Sequence, residues 1–178
     1  HGSLERRQIK MSDDPNKGMP PRAQVRFDCL GQATGKMRNE LSVHMKLPFE
    51  EGPFELATDE GSFHGGDASA PPPLALFTGG LTGCIMTQIR AFAKRLGVTL
   101  NDLQVETRIV WDWEARGRVY ETAPNAFEID VMIDSDDPQE RVVELIETAK
   151  KGCFIEQTLG VRNTIRHRLK TGDGWLDV

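Results

Sequence analysis

The stretch LFTGGLTGCIMTQIRAFAKRLG, residues 76–97, constrains the fold more than any other part of the chain. Phe77, Leu81, Ile85, Ile89, Phe92 and Leu96 recur at steps of three and four, the spacing of one helix face. Leu76, Cys84 and Met86 widen that stripe, while Arg90, Lys94 and Arg95 charge only the far half. Pro71 and Pro73 can open such a helix and Gly97 can close it. The helix is then buried at one end and wet at the other, and its apolar surface is broader than one wet-faced domain can cover. Gly79, Gly80 and Gly83 each cost on the order of 1 kcal/mol relative to alanine. Close approach of another backbone offsets that cost, or else the glycines leave room for a small molecule beside Cys84.

Strands are expected on both sides of this helix. Val25, Phe27 and Cys29 alternate with Arg26 and Asp28, placing the cysteine on an inward face, and Leu41, Val43, Met45 and Leu47 alternate with polar neighbours. GQATGK reads as the turn between these strands, and PFELATD gives a third with Phe54 and Leu56 inward. Residues 60–73, EGSFHGGDASAPPP, are too rich in glycine and proline for regular structure and form a candidate site loop. After Gly97, Leu103, Val105, Thr107, Ile109, Trp111 and Trp113 mark a long strand, and Phe127, Ile129, Val131 and Ile133 mark its hairpin partner. The turn falls in EARGR or in ETAPN. Asp136 or Asp137 is expected to cap a second helix with Pro138 near its start and Val142, Val143, Leu145, Ile146 and Ala149 as its stripe. FIEQTLG and a last strand through Val161, Ile165 and Leu169, with His167 in it, close the chain.

This pattern predicts an α+β fold. At 178 residues one domain with a true core is expected, placed at residues 23–178. Residues 1–22 are set apart from it. HGSLERRQIK reads as an expression remnant ahead of Met11, and residues 12–22 as a loose, flexible arm. The whole chain carries –5; the first ten residues contribute +2 through Arg6, Arg7 and Lys10 against Glu5, so the remainder carries –7. Dispersed cations in an acidic chain argue against nucleic acid as a partner. No apolar run reaches the ~20 residues of a membrane span, so a soluble protein is expected, with no membrane partner. Cys29, Cys84 and Cys153 stand far apart without a CxxC, so neither a metal site nor a disulfide framework is expected, and a reducing cytoplasm is the expected setting.

Two segments then carry a resemblance. DEGSFHGGDASAPPPLALFTGGLTGC, through Asp59, Glu60, Gly65, Gly66, Pro71, Pro73, Leu81, Gly83 and Cys84, resembles the OsmC/Ohr family of thiol-dependent hydroperoxide reductases, and its OsmC-like branch most closely. GCFIEQTLG resembles the family's second cysteine segment, with Cys153 and Leu159 in place. The resemblance implies an intertwined homodimer with curved antiparallel sheets wrapped around two long central helices. It also implies an oxidative-stress enzyme in which Cys84 attacks an organic hydroperoxide, Cys153 resolves the product as a disulfide, and an external dithiol restores both thiols. No metal or organic cofactor is required. Where family peroxidases carry a glutamate that orients a thiolate-supporting arginine, this chain has Leu74 and Ala75; Arg38 is the nearest candidate for the arginine, with Glu60 or Asp67 as substitutes for the acid. His64, Asp67, Phe77 and Gly80 are the candidate substrate-binding residues. A dimer that binds a small molecule but has lost peroxidase chemistry is the competing expectation.

Overall fold

The computed structural model describes residues 21–178. The expectations for the expression remnant and for nearly all of the arm fall outside the described residues. The chain forms two compact units, one ending at Leu76 and the other running from Phe77 to Val178.

The first unit is an antiparallel meander of β1 (Arg26–Thr34), β2 (Arg38–Leu47) and β3 (Glu51–Thr58). Thr34 pairs with Arg38, so the first turn is Gly35 to Met37, and Gly31–Thr34 belong to β1 rather than to the expected turn. The expected inward residues are not covered: Phe27 is 53% exposed, Phe54 44% and Leu56 45%, and Cys29 is exposed too. Strict alternation identifies an apolar face without supplying the layer that buries it. After β3 the chain makes a 3-10 turn at Ser62–His64 and enters α1 (Pro73–Leu96), which begins at the second of the expected opening prolines.

Most of α1 belongs to the second unit. Leu81, Ile85, Ile89 and Ala93 form its buried stripe, and Gly97 ends it with φ of 68°, while the Val98 N–H returns to the Ala93 carbonyl at 2.9 Å. β4 (Asp102–Arg116) and β5 (Val119–Asp134) follow as one long hairpin turning at Gly117 and Arg118, which selects EARGR over ETAPN. ETAPN lies inside β5 beside a register shift at Val110/Trp111, and Asn125 there donates to both carboxylate oxygens of Asp112 at 3.0 and 2.9 Å. Leu103 through Trp111 alternate half-buried and exposed as expected, but Trp113 is 59% exposed because the alternation stops at Trp111.

α2 (Gln139–Gly152) buries Leu145 and Ala149, while Val143 points outward at 49% exposure. Asp137 does not cap it. Pro138 is the N-cap residue, and the Asp137 carboxylate accepts the Thr99 N–H at 2.7 Å instead. A short α3 (Phe154–Leu159) follows at once. The expected last strand is replaced by an irregular stretch and then a small hairpin, β6 (Arg168–Thr171) with β7 (Gly174–Asp177). His167 precedes β6 and holds the last residue through its carbonyl. Asn163 donates to the Thr158 and Val161 carbonyls at 2.8 and 3.1 Å, which bends the chain where an extended strand was expected. The core of the unit joins Ile85, Ile89 and Ala93 of α1, Val98, Leu145 and Ala149 of α2, and Cys153. Val105, Ile129 and Val131 of the hairpin pack against it, so helices lie on an antiparallel sheet in the expected α+β manner.

Candidate active site

Cys153 sits between α2 and α3 because the chain cannot continue one helix into the other there: its φ and ψ of –80° and 108° are extended. The preceding Gly152 allows this junction to press on α1. A Cβ at Gly152 would lie 2.5 and 2.7 Å from the Phe92 ring, too close for any side chain without displacing it. The packing leaves Cys153 with 0% exposure and beside the half-buried thiol of Cys84, which projects from α1 between the buried Leu81 and Ile85 and packs against the same core cluster. Both thiols are free, as is that of Cys29.

The Cys153 sulfur has a second partner. It accepts the Glu156 N–H at 3.5 Å and so serves as the side-chain N-cap of α3. Burial pushes the Cys153 thiol up to about 11; the Glu156 N–H works the other way, and the neighbouring Cys84 adds to the rise. Cys153 is therefore a neutral thiol at neutral pH. Glu156 is itself raised by its partial burial.

Two grooves flank α3. One, of about 510 Å³, is lined by Leu81 and Ile85 of α1, Phe127, Ile129 and Val131 of β5, and Ile146 of α2, with Glu147, Lys150 and Glu156 also in its lining. The other, of about 500 Å³, runs along Gly152, Cys153, Phe154, Gln157, Val161 and Asn163. Of the predicted substrate-binding residues in this unit, Gly80 faces α3, with Ile155 Cδ1 3.5 Å from where its Cβ would be. Phe77 leans edge-on to Trp111 at 5.9 Å, and Trp111 in turn to Phe127 at 6.4 Å.

Arg38, His64 and Asp67 belong to the first unit, where a buried carboxylate organises the loop after β3. Asp59, 2% exposed, accepts the Glu60 N–H at 2.8 Å, the Ser69 N–H at 2.9 Å and the Ser69 hydroxyl at 2.6 Å. These bonds, led by those from Ser69, hold the Asp59 carboxyl down at about 2. Gly66 closes the loop, since a Cβ there would lie 1.9 Å from the Glu60 carbonyl oxygen. Arg38 reaches across from β2: Nη1 donates to the Ser69 carbonyl at 2.9 Å and to its hydroxyl at 3.1 Å, and Nε to Glu40 at 2.6 Å.

The acid on Arg38 is therefore Glu40, not Glu60 or Asp67. Asp67 pairs with Lys36 at 3.1 Å, and the loop uses the Glu60 backbone, N–H to Asp59 and carbonyl to Ala68. Glu40 was legible two residues along the same strand face. Ser69 carried no sequence signal of its own, and Asp59 entered only as part of a motif. His64 lies on the exposed 3-10 turn against the Phe63 ring at 4.9 Å.

The family model described as OsmC-like protein matches residues 65–170. An OsmC-like hydroperoxide resistance protein from Jannaschia sp. CCS1 is 66% identical, the match covering 88% of this chain and 100% of that one, with a TM-score of 0.61. An OsmC-like protein from Mycoplasma pneumoniae shares the fold at 15% identity over 77% and 87% of the two chains, with a TM-score of 0.56. So does an organic hydroperoxide resistance protein OsmC from Legionella pneumophila, at 17% identity over 78% and 91%, with a TM-score of 0.50. No curated protein matches the chain. A family match over more than half of the chain, joined to close identity with a solved OsmC-like structure along nearly all of it, makes this protein a member of the OsmC-like family.

Proposed function

We propose that the protein reduces organic hydroperoxides with Cys84 as the attacking thiol and Cys153 as the resolving one. The observation that carries this reading is their proximity: two free thiols 69 residues apart in sequence stand side by side, Cys153 in the core of one unit and Cys84 half-buried against it. The Cys84 thiolate attacks the distal peroxide oxygen, the O–O bond breaks, and the alcohol departs with a proton, leaving a sulfenic acid on Cys84. The Cys153 sulfur then attacks the Cys84 sulfur, its proton leaves with the hydroxyl as water, and a disulfide forms. An external dithiol reduces that bond and is itself oxidised. The high pKa of Cys153 suits the second role, since its proton is held until the sulfenic acid is beside it. Hydroperoxide resistance in the name of the Jannaschia protein agrees with this chemistry.

Arg38 is assigned the supporting guanidinium, with Glu40 orienting it, and Phe77, Gly80, His64 and Asp67 the contacts to substrate. Pairing of two chains as a homodimer belongs to the same reading, as does a reducing, cytoplasmic setting for three free thiols. The groove of about 510 Å³ favours one alternative, a small-molecule-binding dimer without peroxidase turnover, in keeping with Leu74 and Ala75 where an acid is missing. Thiol counting decides between them. One equivalent of cumene hydroperoxide added to fully reduced protein is expected to remove two of the three thiols and leave Cys29; three thiols remaining after excess oxidant would leave the binding reading.

A further inference from the structure

One sulfur in this protein serves two structures. Cys153 Sγ lies beside the Cys84 thiol, which packs against the core cluster holding Cys153, and it also caps α3 through the Glu156 N–H. α3 is six residues long and buries none of them, well short of what stands as a helix by itself in water. It therefore depends on its attachments. Besides the sulfur, these include Ile155, packed against the core and facing Gly80, the Gln157 N–H to the Cys153 carbonyl at 2.9 Å, the Gln157 side chain to the Lys150 carbonyl at 2.9 Å, and Asn163 to the Thr158 carbonyl at 2.8 Å. Cys153 has no exposed surface, although the groove along α3 runs directly over it. A disulfide at this position needs some movement before a second thiol can reach it.

We propose that α3 is a redox-operated gate: joining Cys153 to Cys84 draws the sulfur off the Glu156 N–H, α3 loosens, and the groove along residues 151–163 opens onto the disulfide for a dithiol reductant. The inference rests on the proposed pairing of these two cysteines and adds a mechanical consequence to it. In closing the bond, two S–H bonds break and one S–S bond forms, and two electrons and two protons pass to the hydroperoxide, which leaves as alcohol and water. In reopening it, a dithiol gives up two electrons and two protons, becomes a disulfide, and restores both S–H groups. The sulfur then returns to the Glu156 N–H and the gate shuts on reduced protein. The state that needs a reductant is thus the one that admits it.

Hydrogen exchange measured by mass spectrometry over residues 153–163 tests the gate, with diamide as oxidant so that the disulfide forms independently of any peroxidase step. Peptide mapping verifies the bond. In oxidised protein the α3 amides are expected to exchange roughly fivefold faster, about the factor one lost helix cap is worth. β4 and β5 should not change. Reduced Cys153→Ala should show the same increase, because it lacks the cap, whereas Cys153→Ser should keep α3 protected with or without diamide, since a serine hydroxyl is a preferred N-cap. Cys84→Ser should be equally unresponsive to diamide. A mapped Cys84–Cys153 bond with α3 still protected overturns the gate and leaves the pairing intact; failure of diamide to join the two cysteines overturns both. If diamide joins them and opens α3 but cumene hydroperoxide does not, the gate stands and the peroxidase reading falls.

Discussion

Cys84 and Cys153 differ in surroundings rather than in chemistry, and their variants should differ accordingly. Cys84→Ser is expected to lower hydroperoxide consumption by about 10³-fold or more, whereas Cys153→Ser should complete one turnover and stop, as a burst in a peroxide-consumption assay would record. Burial also sets a pH dependence. The Cys153 pKa rises from an ordinary 9.0 to about 11 on folding, so the unfolded chain loses that proton first. The associated stability is complete below pH 9 and is lost as pH rises toward 11, on the order of 2 kcal/mol for two pKa units. Denaturant melts of reduced protein at pH 8 and 11 should show that loss, and Cys153→Ser should flatten it. The two cysteines were legible from sequence because each lies in a short, recognisable motif. Their pairing came only from the family resemblance, because spacing across 69 residues neither supports nor forbids it, and the omission of one side chain at Gly152 is what lets the Cys153 junction press on α1. Cys29 was misread for the opposite reason: alternation with Phe27 marked a face that this chain leaves uncovered.

The loop after β3 behaves as an element in its own right, held by a buried charge rather than by a core. Asp59 titrates near 2 when folded and near 3.8 ordinarily, so its contribution is present above pH 3.8 and is lost as pH falls through about 2. Asp59→Asn should flatten the fall in melting temperature between pH 4 and 2. Gly66→Ala is expected to destabilise this loop by a few kcal/mol, since the new Cβ would meet backbone at 1.9 Å, and a lower denaturation midpoint with unchanged m-value would register it. Composition announced this loop clearly, but not what orders it, because its hydrogen bonds converge on one carboxylate that is apolar to no pattern. The helices and long strands were legible where a core-facing stripe lies under them. The final strand failed that test. Val161 and Ile165 are 62% and 75% exposed, so their spacing reflected no buried face, and side-chain bonds from Asn163 bend the chain there.

Large apolar side chains stay exposed in both units, among them Phe27, Leu30 and Phe54 in the first and Val110, Phe154 and Trp175 in the second. A second copy of the chain is the expected cover, and light scattering at micromolar concentration should return twice the chain mass. The glycines of α1 sharpen this test. A Cβ at Gly79 or Gly83 meets nothing within 4 Å, so the close backbone approach expected there is not made inside one chain. Gly83→Leu should therefore leave secondary structure intact by circular dichroism and halve the mass. Helices on an antiparallel sheet could be read from the sequence; the cover could not, because spacing records what is apolar and not which molecule lies against it. The β4–β5 hairpin shows what this means mechanically. Its 15-residue first strand spans ~50 Å, against ~21 Å for the 14 residues of α2. From Asp112 to Tyr120 every residue is exposed, and Trp113 and Tyr120 rest on each other at 4.9 Å. The hairpin is a cantilever, anchored in its own core up to Trp111 and free beyond, with the Asn125–Asp112 bond at the root of the overhang. A beam of this kind passes its load to whatever meets its tip, so trypsin should cut at Arg116 and Arg118 in a monomeric variant and be excluded wherever a second copy covers that tip.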